Sequence, residues 1–359
     1  MMFSVVIPTM GRETVLRTVA SLEACDGAET LDICVAGKVP DGPVAEGLRD
    51  ACRCWNNLRW EQVSFPVGDS SEKKNHGVRC TRGELVAFLD DDVVVDRGWA
   101  KAMQAVFDDP AVGLASGPSL VPEDVGSSAR RAGLALSSAA AGFVAERYRK
   151  NATAPYDVDF DRIIGCNAAY RRKAFEGMGG FPADFYPGEE MIAAWRTARA
   201  GWTLRFVPGA KAWHYPRADA KRFWRQIWTY GATRVRLFRG GVRTHWAPFA
   251  PAAWVASSAF IALAALAGWL LPAPPVVWKA ALAALAAETA AYAAVVVRAA
   301  AGVVKETGER KDFAVWAWIV EMHLAYGLGA WAEIFRPGKD FSERPDGRRL
   351  KLPARGDAV

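Results

Sequence analysis

Three adjacent carboxylates, Asp90 to Asp92, directly follow the apolar run Leu85–Leu89. Like charges repel, so three acids at the mouth of a buried strand are tolerated mainly where a cation binds. Side chains alternate along an extended chain, which puts Asp90 and Asp92 on one side and Asp91 on the other. The pattern predicts a clamp for one hard divalent ion that would in turn hold a diphosphate. The alternative is a solvated turn in which Asp92 caps a helix.

Alternating strands and helices are expected to position this triplet. Apolar runs predict strands at 3–8, 31–36, 58–64, 84–89 and 112–116. Segments with helical periodicity lie between them, at 9–24, 44–54, 71–81 and 99–107, and the Ser/Ala/Gly-rich stretch 127–142 is interpreted as a helix or loop. This order predicts an open, largely parallel α/β sheet. Ligands of such sheets bind beyond the carboxyl ends of the strands, where Thr9 and the Asp triplet lie.

The C-terminal third has a different composition, because no Asp, Glu, Lys or Arg occurs from Thr244 to Trp278. Segments 247–271 and 280–297 are long enough to span a bilayer and predict a helical hairpin over 247–298. A third apolar segment, 313–335, is interrupted by charged residues and His323. We expect it to be interfacial or re-entrant, because a third crossing would put the basic tail 336–359 opposite the N-terminal domain.

Charge and cysteine usage narrow the class of protein. The net charge is +6, and residues 217–243 carry eight Lys or Arg against Asp219 alone. The basic juxtamembrane segment 217–245 suits anionic headgroups or a lipid diphosphate, with a purely topogenic flank as the alternative. A basic stripe beside an apolar span argues against nucleic acid as a partner.

The six cysteines lack CxxC pairs, which predicts reduced, mostly buried thiols. No signal peptide precedes the first strand, so the N-terminal domain is expected to be cytoplasmic.

A set of ordered motifs resembles the family 2 glycosyltransferases of GT-A fold. They are Val6–Thr9, Asp90–Asp92, Gly165–Asn167, Gly188–Glu190 and Ala212–His214, and the match runs from residue 3 to about 216. Further along, Gln226, Tyr230-Gly231 and the segment 323–329 resemble the membrane-anchored bacterial branch that builds exopolysaccharide repeat units, the succinoglycan-type transferases.

The resemblance implies a metal site. In this family the two outer acids of the triplet neutralise the leaving diphosphate of a nucleotide sugar through Mn²⁺ or Mg²⁺. Asp90 and Asp92 occupy those positions. By the same analogy His214 is a further metal ligand or a diphosphate contact, with a purely structural histidine as the alternative.

The resemblance also implies a catalytic base. The family uses the second acid of a Gly-Glu-Asp triplet at a helix start to deprotonate the acceptor hydroxyl. Here the triplet is Gly188-Glu189-Glu190, so Glu190 aligns with the base but is one methylene longer. That departure leaves Glu189 as an alternative base, and either acid can also serve as a favourable charge in the first helical turn.

The residues expected to contact the donor match the family's pattern less closely. The family's acid after the second strand is missing from Val35–Lys38, and Met10 replaces a common aromatic residue, which puts uracil recognition in doubt. Arg171 and Arg172 match a basic pair that would hold donor phosphate or acceptor, with surface ion pairs as the alternative. The full set of expected donor contacts is Pro8, Thr9, Arg12, Lys74, Asn75, Asp90, Asp91, Arg171 and Arg172.

These features predict a GT-A domain over 1–216, the basic segment 217–245, a membrane region over 246–335 and a polar tail over 336–359. The function expected is inverting, metal-dependent transfer of one sugar from a nucleotide donor to a lipid-linked acceptor, a polyprenyl diphosphate or a glycolipid, at the cytoplasmic membrane face. A processive synthase is the nearest alternative, although a Gln-x-x-Arg-Trp motif does not follow Gln226. A non-catalytic membrane scaffold is the alternative from another class. The sequence leaves the oligomeric state open.

Overall fold

The computed structural model describes residues 2–66, 68–148, 153–216, 219–243, 245–272 and 274–335. Among these residues eleven strands occur. They are β1 (Phe3–Pro8), β2 (Leu31–Ala36), β3 (Leu58–Glu61), β4 (Leu85–Leu89), β5 (Val93–Val95), β6 (Val112–Ser116), β7 (Ser119–Leu120), β8 (Tyr156–Asp157), β9 (Asn167–Arg171), β10 (Thr203–Phe206) and β11 (Ala212–His214). The five predicted strands are all present, β3 being shorter than expected because its chain leaves the sheet after Glu61.

Eleven α-helices occur in the same described ranges. They are α1 (Thr14–Glu23), α2 (Pro43–Cys54), α3 (Asp69–Arg79), α4 (Trp99–Ala105), α5 (Ser127–Ser137), α6 (Arg172–Gly177), α7 (Glu189–Arg199), α8 (Ala220–Arg239), α9 (Ala250–Leu270), α10 (Pro275–Thr307) and α11 (Val315–Phe335). The stretch interpreted as a helix or loop at 127–142 is therefore α-helical over Ser127–Ser137, as α5, and a 3-10 helix begins at Ala139.

The main sheet has eight strands in the order β3-β2-β1-β4-β9-β6-β10-β8. Strands β3, β2, β1 and β4 are parallel neighbours, whereas β9 runs antiparallel to β4 and β6. The alternation of strand side chains gives the sheet two apolar faces: Val5 and Ile7 pack into one core, and Val6 packs into the other. The prediction of a largely parallel α/β sheet is confirmed. The carboxyl ends of β1 and β4 lie side by side, which brings Thr9 to the acidic triplet.

A smaller sheet of β5, β11 and β7 stands beyond the end of β4. In it β11 runs antiparallel to β5, with His214 opposite Val93. This pairing joins two segments that are far apart in the sequence. It carries the end of β11 to the residues that immediately follow the triplet.

The described part of the chain divides into two compact units. The sheet unit comprises the residues up to Val125 together with Glu146–Tyr215, and the helical unit comprises Gly126–Ala145 together with the residues from Pro216 onward. The expected boundary near residue 216 differs from this division in one stretch. Residues 126–145 group with the C-terminal helices because Ala132 and Ala135 of α5 pack in the same apolar cluster as Phe223 of α8 and Ile319 of α11.

Glycines allow close helix packing inside the helical unit. A Cβ on Gly231 of α8 would lie 2.1 Å from the Tyr326 carbonyl oxygen of α11, and a Cβ on Gly329 of α11 would lie 2.2 Å from the Trp228 carbonyl oxygen of α8. The two helices therefore touch backbone to backbone, a contact that small residues permit in membrane proteins. This packing gives a physical reason for the glycines of Tyr230-Gly231 and of the motif 326–329.

Three helical segments of the described chain are long and apolar enough to cross a membrane, namely Ala247–Leu270, Pro275–Thr307 and Arg310–Phe335. The first two form an antiparallel hairpin, since Gly268 lies against Trp278 near the turn and Ser257 and Ser258 donate hydrogen bonds to Glu288 farther along. Large apolar side chains on the hairpin, such as Phe260 and Trp269, are exposed. Exposed apolar surface on this scale marks membrane association. The interfacial placement of the third segment stays a prediction.

Candidate active site

The acidic triplet lies at the carboxyl edge of the main sheet. The Thr9 hydroxyl donates a 2.8 Å hydrogen bond to Asp91 Oδ2, and the Met10 amide donates to the same oxygen at 3.2 Å. Asp91 is therefore held by the loop after β1, and it shares the Arg12 guanidinium with Asp92. Residues 91 and 92 form a turn after β4, so the extended-chain alternation does not apply to the whole triplet. The role of Asp91 is to join β1 to β4, with Pro8 as the last residue of β1.

Asp90, Asp92 and His214 form a compact set of possible metal ligands. One ligand atom from each lies within 4.8 Å of the others, and His214 Nε2 is 3.1 Å from Asp92 Oδ1. The pairing of β11 with β5 produces this approach. The two carboxylates offer the hard oxygen ligands that Mn²⁺ and Mg²⁺ prefer, and the imidazole adds a nitrogen ligand of the kind transition metals bind.

Electrostatics at the triplet indicate a shortage of positive charge. Burial raises the pKa of Asp90, against the opposing effect of Lys74 and His214. Burial alone would lower the pKa of His214, but the Cys166 sulfur and the Asp92 carboxylate raise it well above its usual value. Arg12 contributes a further cation, its Nη1 lying 2.7 Å from Asp92 and 3.2 Å from Asp91. A divalent cation would relieve the same crowding of negative charge, so the residues present fit one.

The Gly165-Cys166-Asn167 turn holds these groups in place. Asn167 donates from Nδ2 to the carbonyl oxygens of Pro118 and Ala210, and its Oδ1 accepts from the Trp99 indole. One buried amide thereby ties together the chain before β7, the chain before β11 and α4. Cys166 of this turn also lies near His214 and contributes to the raised pKa of that imidazole. Sequence reasoning identified this motif without giving its residues roles.

The two acids at the start of α7 have different surroundings. Glu189 is buried and accepts hydrogen bonds from Ser70 at 3.2 Å, from Lys74 Nζ at 3.1 Å and from the Gly188 amide at 3.1 Å. Burial opposes its ionisation, but the charge of Lys74 and the hydrogen bonds to the carboxylate together lower the pKa of Glu189. Glu189 is thus an ionised structural partner, with its oxygens already bonded.

Glu190 is the acid that remains half-buried beside it. Burial and the neighbouring Glu189 carboxylate raise the pKa of Glu190 to about 7, which is the range where a general base is most effective. A Cβ at position 165 would lie 2.9 Å from Glu190 Cγ. The longer side chain therefore fits because residue 165 is glycine.

Lys74 lies between the two acidic groups. Burial would lower the pKa of Lys74, but Glu189, Asp90 and Glu190 together raise it, so its ammonium group acts on both the triplet and the start of α7. The neighbouring Lys73, which sequence reasoning missed, is also buried and donates to the Thr9 carbonyl oxygen at 2.9 Å. Its signal in the sequence was the adjacency of two lysines on one short helix.

Three residues expected as donor contacts have other partners in the structure. Arg171 donates to the carbonyl oxygens of Phe107, Asp109 and Val112. Arg172 donates to those of Val78, Thr81 and Gly83. Both lie at the far end of the sheet from the triplet, because β9 runs antiparallel to β4 and Arg171 pairs with Leu85. Asn75 donates to the carbonyl oxygen of Phe181 and accepts from its amide, which positions the loop before α7.

Comparison with known proteins agrees with this geometry. Residues 85–304, more than half of the chain, match the family model described as glycosyl transferase family group 2. The chain is 28% identical over 165 residues to a pre-mycofactocin glycosyltransferase of Mycobacterium tuberculosis, covering 46% of this chain and 34% of that protein. It is 29% identical over 187 residues to the succinoglycan biosynthesis protein ExoA of Rhizobium meliloti, covering 50% and 49%. The chain thus spans half or less of the length of these relatives.

A solved structure shares the fold. The mannosyltransferase PcManGT from Pyrobaculum calidifontis, in complex with GDP-Man and Mn²⁺, superimposes with a TM-score of 0.56 at 19% identity, covering 94% of this chain and 88% of that one. The GT-A expectation is confirmed. With its sheet, its acidic triplet and the match over 85–304, the chain belongs to the family 2 glycosyltransferases.

Proposed function

We propose that this enzyme is an inverting, metal-dependent glycosyltransferase that adds one sugar from a nucleotide-sugar donor to a lipid-linked acceptor at the cytoplasmic face of a membrane. The observation that carries the proposal is the position of Lys74. A single buried ammonium acts on both the Asp90 carboxylate and the acids at the start of α7. The ligand set for a cation and the candidate base therefore belong to one site.

The donor end of the site is assigned to the triplet. Asp90, Asp92 and His214 would hold a divalent cation, which when bound neutralises the charge developing on the leaving diphosphate. Arg12 is 41% exposed at its side chain, so it can turn from the acids to a phosphate oxygen. Thr9 and Lys73 fix the loop after β1, against which the nucleotide would lie.

The acceptor end is assigned to Glu190. Its carboxylate takes the proton of the acceptor hydroxyl while the acceptor oxygen forms a bond to the anomeric carbon and the bond from that carbon to the diphosphate breaks. Attack opposite the leaving group inverts the anomeric centre. Glu189 is less suited to this step, because Lys74, Ser70 and the Gly188 amide already occupy its oxygens.

The proposal of a lipid-linked acceptor is supported by features of the helical unit. An apolar hairpin preceded by basic residues such as Lys221, Arg222 and Arg225, all exposed on α8, suits a membrane with anionic headgroups. The relative named for succinoglycan biosynthesis supports a role in polysaccharide or glycolipid assembly.

Transfer assays test the proposal. Membranes containing the protein are incubated with radiolabelled nucleotide sugars, donor by donor, with Mn²⁺, Mg²⁺ or EDTA, and the label is followed into the lipid extract. GDP-mannose is included because PcManGT was solved with GDP-Man. We expect one donor to label a lipid only when a divalent cation is present, with inversion seen by NMR of the product. Labelling of a long polymer would favour a processive synthase, and no transfer from any donor would favour a scaffold.

A further inference from the structure

A second cluster of metal-ligating side chains lies on the sheet unit, under α3. It consists of Glu61 at the end of β3, His76 in the last turn of α3 and Cys80 just after that helix. One ligand atom of each lies within 4.8 Å of the other two. Strand β3 is at the edge of the main sheet, and all three residues are half-buried. A metal ion can therefore reach them from solvent.

Distances within this cluster match those of a tetrahedral zinc ion. Zinc bonds of about 2.0–2.3 Å at tetrahedral angles place neighbouring ligand atoms about 3.3–3.8 Å apart. Cys80 Sγ is 3.4 Å from His76 Nε2, and His76 Nε2 is 3.6 Å from Glu61 Oε2. Two of the ligand separations are thus already those of a bound ion, without movement of the backbone.

The fold enforces this arrangement. His76 and Cys80 are four residues apart on α3, so they lie on the same face of the helix. A Cβ at Gly77 would lie 2.3 Å from Val6 Cγ1, so the glycine lets α3 sit close to the sheet. The same approach brings Cys80 near Cys34 of β2. Cys34 lies outside the group of ligand atoms that Glu61, His76 and Cys80 form.

We propose that Glu61, His76 and Cys80 form a three-ligand zinc site separate from the cation proposed at the triplet. Its ligands are softer than those of the triplet, since it offers thiolate sulfur where the triplet offers carboxylate oxygen. Arg59, one of the cations beside it, already bonds Asp32 and the Cys80 carbonyl oxygen. Zinc here would tie α3 to β3, and α3 is the helix that carries Lys73 and Lys74.

Metal content and cobalt substitution test the site. The full-length protein is purified in detergent with a reductant that does not bind metal, in an Asp92→Asn background that weakens the triplet. We expect one zinc per chain after dialysis. Replacement by Co²⁺ should give a thiolate charge-transfer band in the near ultraviolet and the d–d bands of a tetrahedral ion. Losing an outer-shell partner costs about 10–100-fold in metal affinity, so losing a direct ligand should exceed that.

Variants separate this site from chance binding. Cys80→Ser and His76→Gln should abolish the charge-transfer band and stoichiometric zinc, whereas Cys54→Ser, which removes an exposed thiol on α2, should keep both. Glu61→Gln is a milder variant, because it changes a half-buried residue of the edge strand β3. It keeps the experiment decisive if the Cys80 or His76 variant does not fold. Absence of stoichiometric zinc from the wild type, or a band that survives in Cys80→Ser, would overturn the proposal.

Discussion

Buried acids are treated in opposite ways by the two units. In the helical unit Asp312 accepts two hydrogen bonds from Arg130, and Glu333 faces Arg236 at 2.9 Å and Arg239 at 3.5 Å. In the sheet unit Asp90, Asp91, Asp92 and the two acids of α7 crowd together, and burial raises the pKa values of Asp90, Asp91 and Glu190. Paired acids hold helices together, whereas crowded acids are retained at a cost in stability, which points to chemistry.

The strongest test removes a candidate metal ligand from the acidic triplet at the carboxyl edge of the main sheet. Asp92→Asn should lower transfer by at least about 10³-fold, because a bound cation supplies several kcal/mol of charge stabilisation. Stability should change little, since the asparagine oxygen can still accept from Arg12. Transfer rates, with calorimetry of nucleotide and Mn²⁺ binding, provide the measurement. Asp41→Asn, which alters an exposed surface pair with Arg49, is the control. Wild-type metal affinity in Asp92→Asn would remove the triplet from the mechanism.

The candidate base gives the next largest effect. Glu190→Gln keeps the size of the side chain but cannot accept a proton, so we expect transfer to fall about 10²–10⁴-fold while donor and metal binding persist. Single-turnover rates and donor affinity measure the two separately. Glu176→Gln, an exposed acid on α6, serves as the control. If Glu190→Gln were fully active, the base would have to be sought elsewhere and the contrast between the two acids of α7 would lose its meaning.

The paired acids of the helical unit should affect stability instead. Removing one partner of a buried ion pair costs about 3–5 kcal/mol, so Glu333→Gln should lower the unfolding midpoint of the detergent-solubilised protein markedly, with Arg236 left buried. Glu309→Gln breaks an exposed pair with Lys311, where the expected change is within about 1 kcal/mol. Equal midpoints for the two variants would show that the buried pair is not a stabilising element.

A shift in the pH profile of the transfer rate is the least pronounced change that we expect. Glu190 acts as a base only when ionised, so the transfer rate should rise with pH through about 7, the pKa of Glu190. The Glu189 carboxylate contributes to that raised pKa, whereas Lys74 opposes it. Glu189→Gln should therefore move the acid limb to lower pH. Ser70→Ala, which removes a neutral hydrogen bond to Glu189, should leave it in place. If the acid limb did not move in Glu189→Gln, the Glu189 carboxylate would not be a cause of the raised pKa of Glu190.

Local pattern predicted most of the fold. Strands β1, β2 and β4, the helices between them and the apolar hairpin were all visible in the sequence, because each depends on the periodicity and composition of a continuous segment. The acidic triplet was visible for the same reason, since an apolar strand leads directly into it. Helix α5 was harder, because its small residues gave little periodicity and its place in the helical unit depends on distant partners.

The roles of single residues required the tertiary structure. The antiparallel direction of β9 carried Arg171 and Arg172 to the wrong end of the sheet for a donor contact, which strand composition does not reveal. The choice between Glu189 and Glu190 depended on the approach of Lys74, which lies on another helix.

The sequence by itself determined the fold class, the family and the acidic residues available for catalysis, because these are properties of continuous segments and ordered motifs. Only the tertiary structure brought His214 to Asp92, through the pairing of β11 with β5. It likewise gathered Glu61, His76 and Cys80, which have no recognisable metal-binding spacing along the chain. Both clusters arise from contacts between distant segments, and such contacts are set by strand pairing and helix packing that no local pattern records.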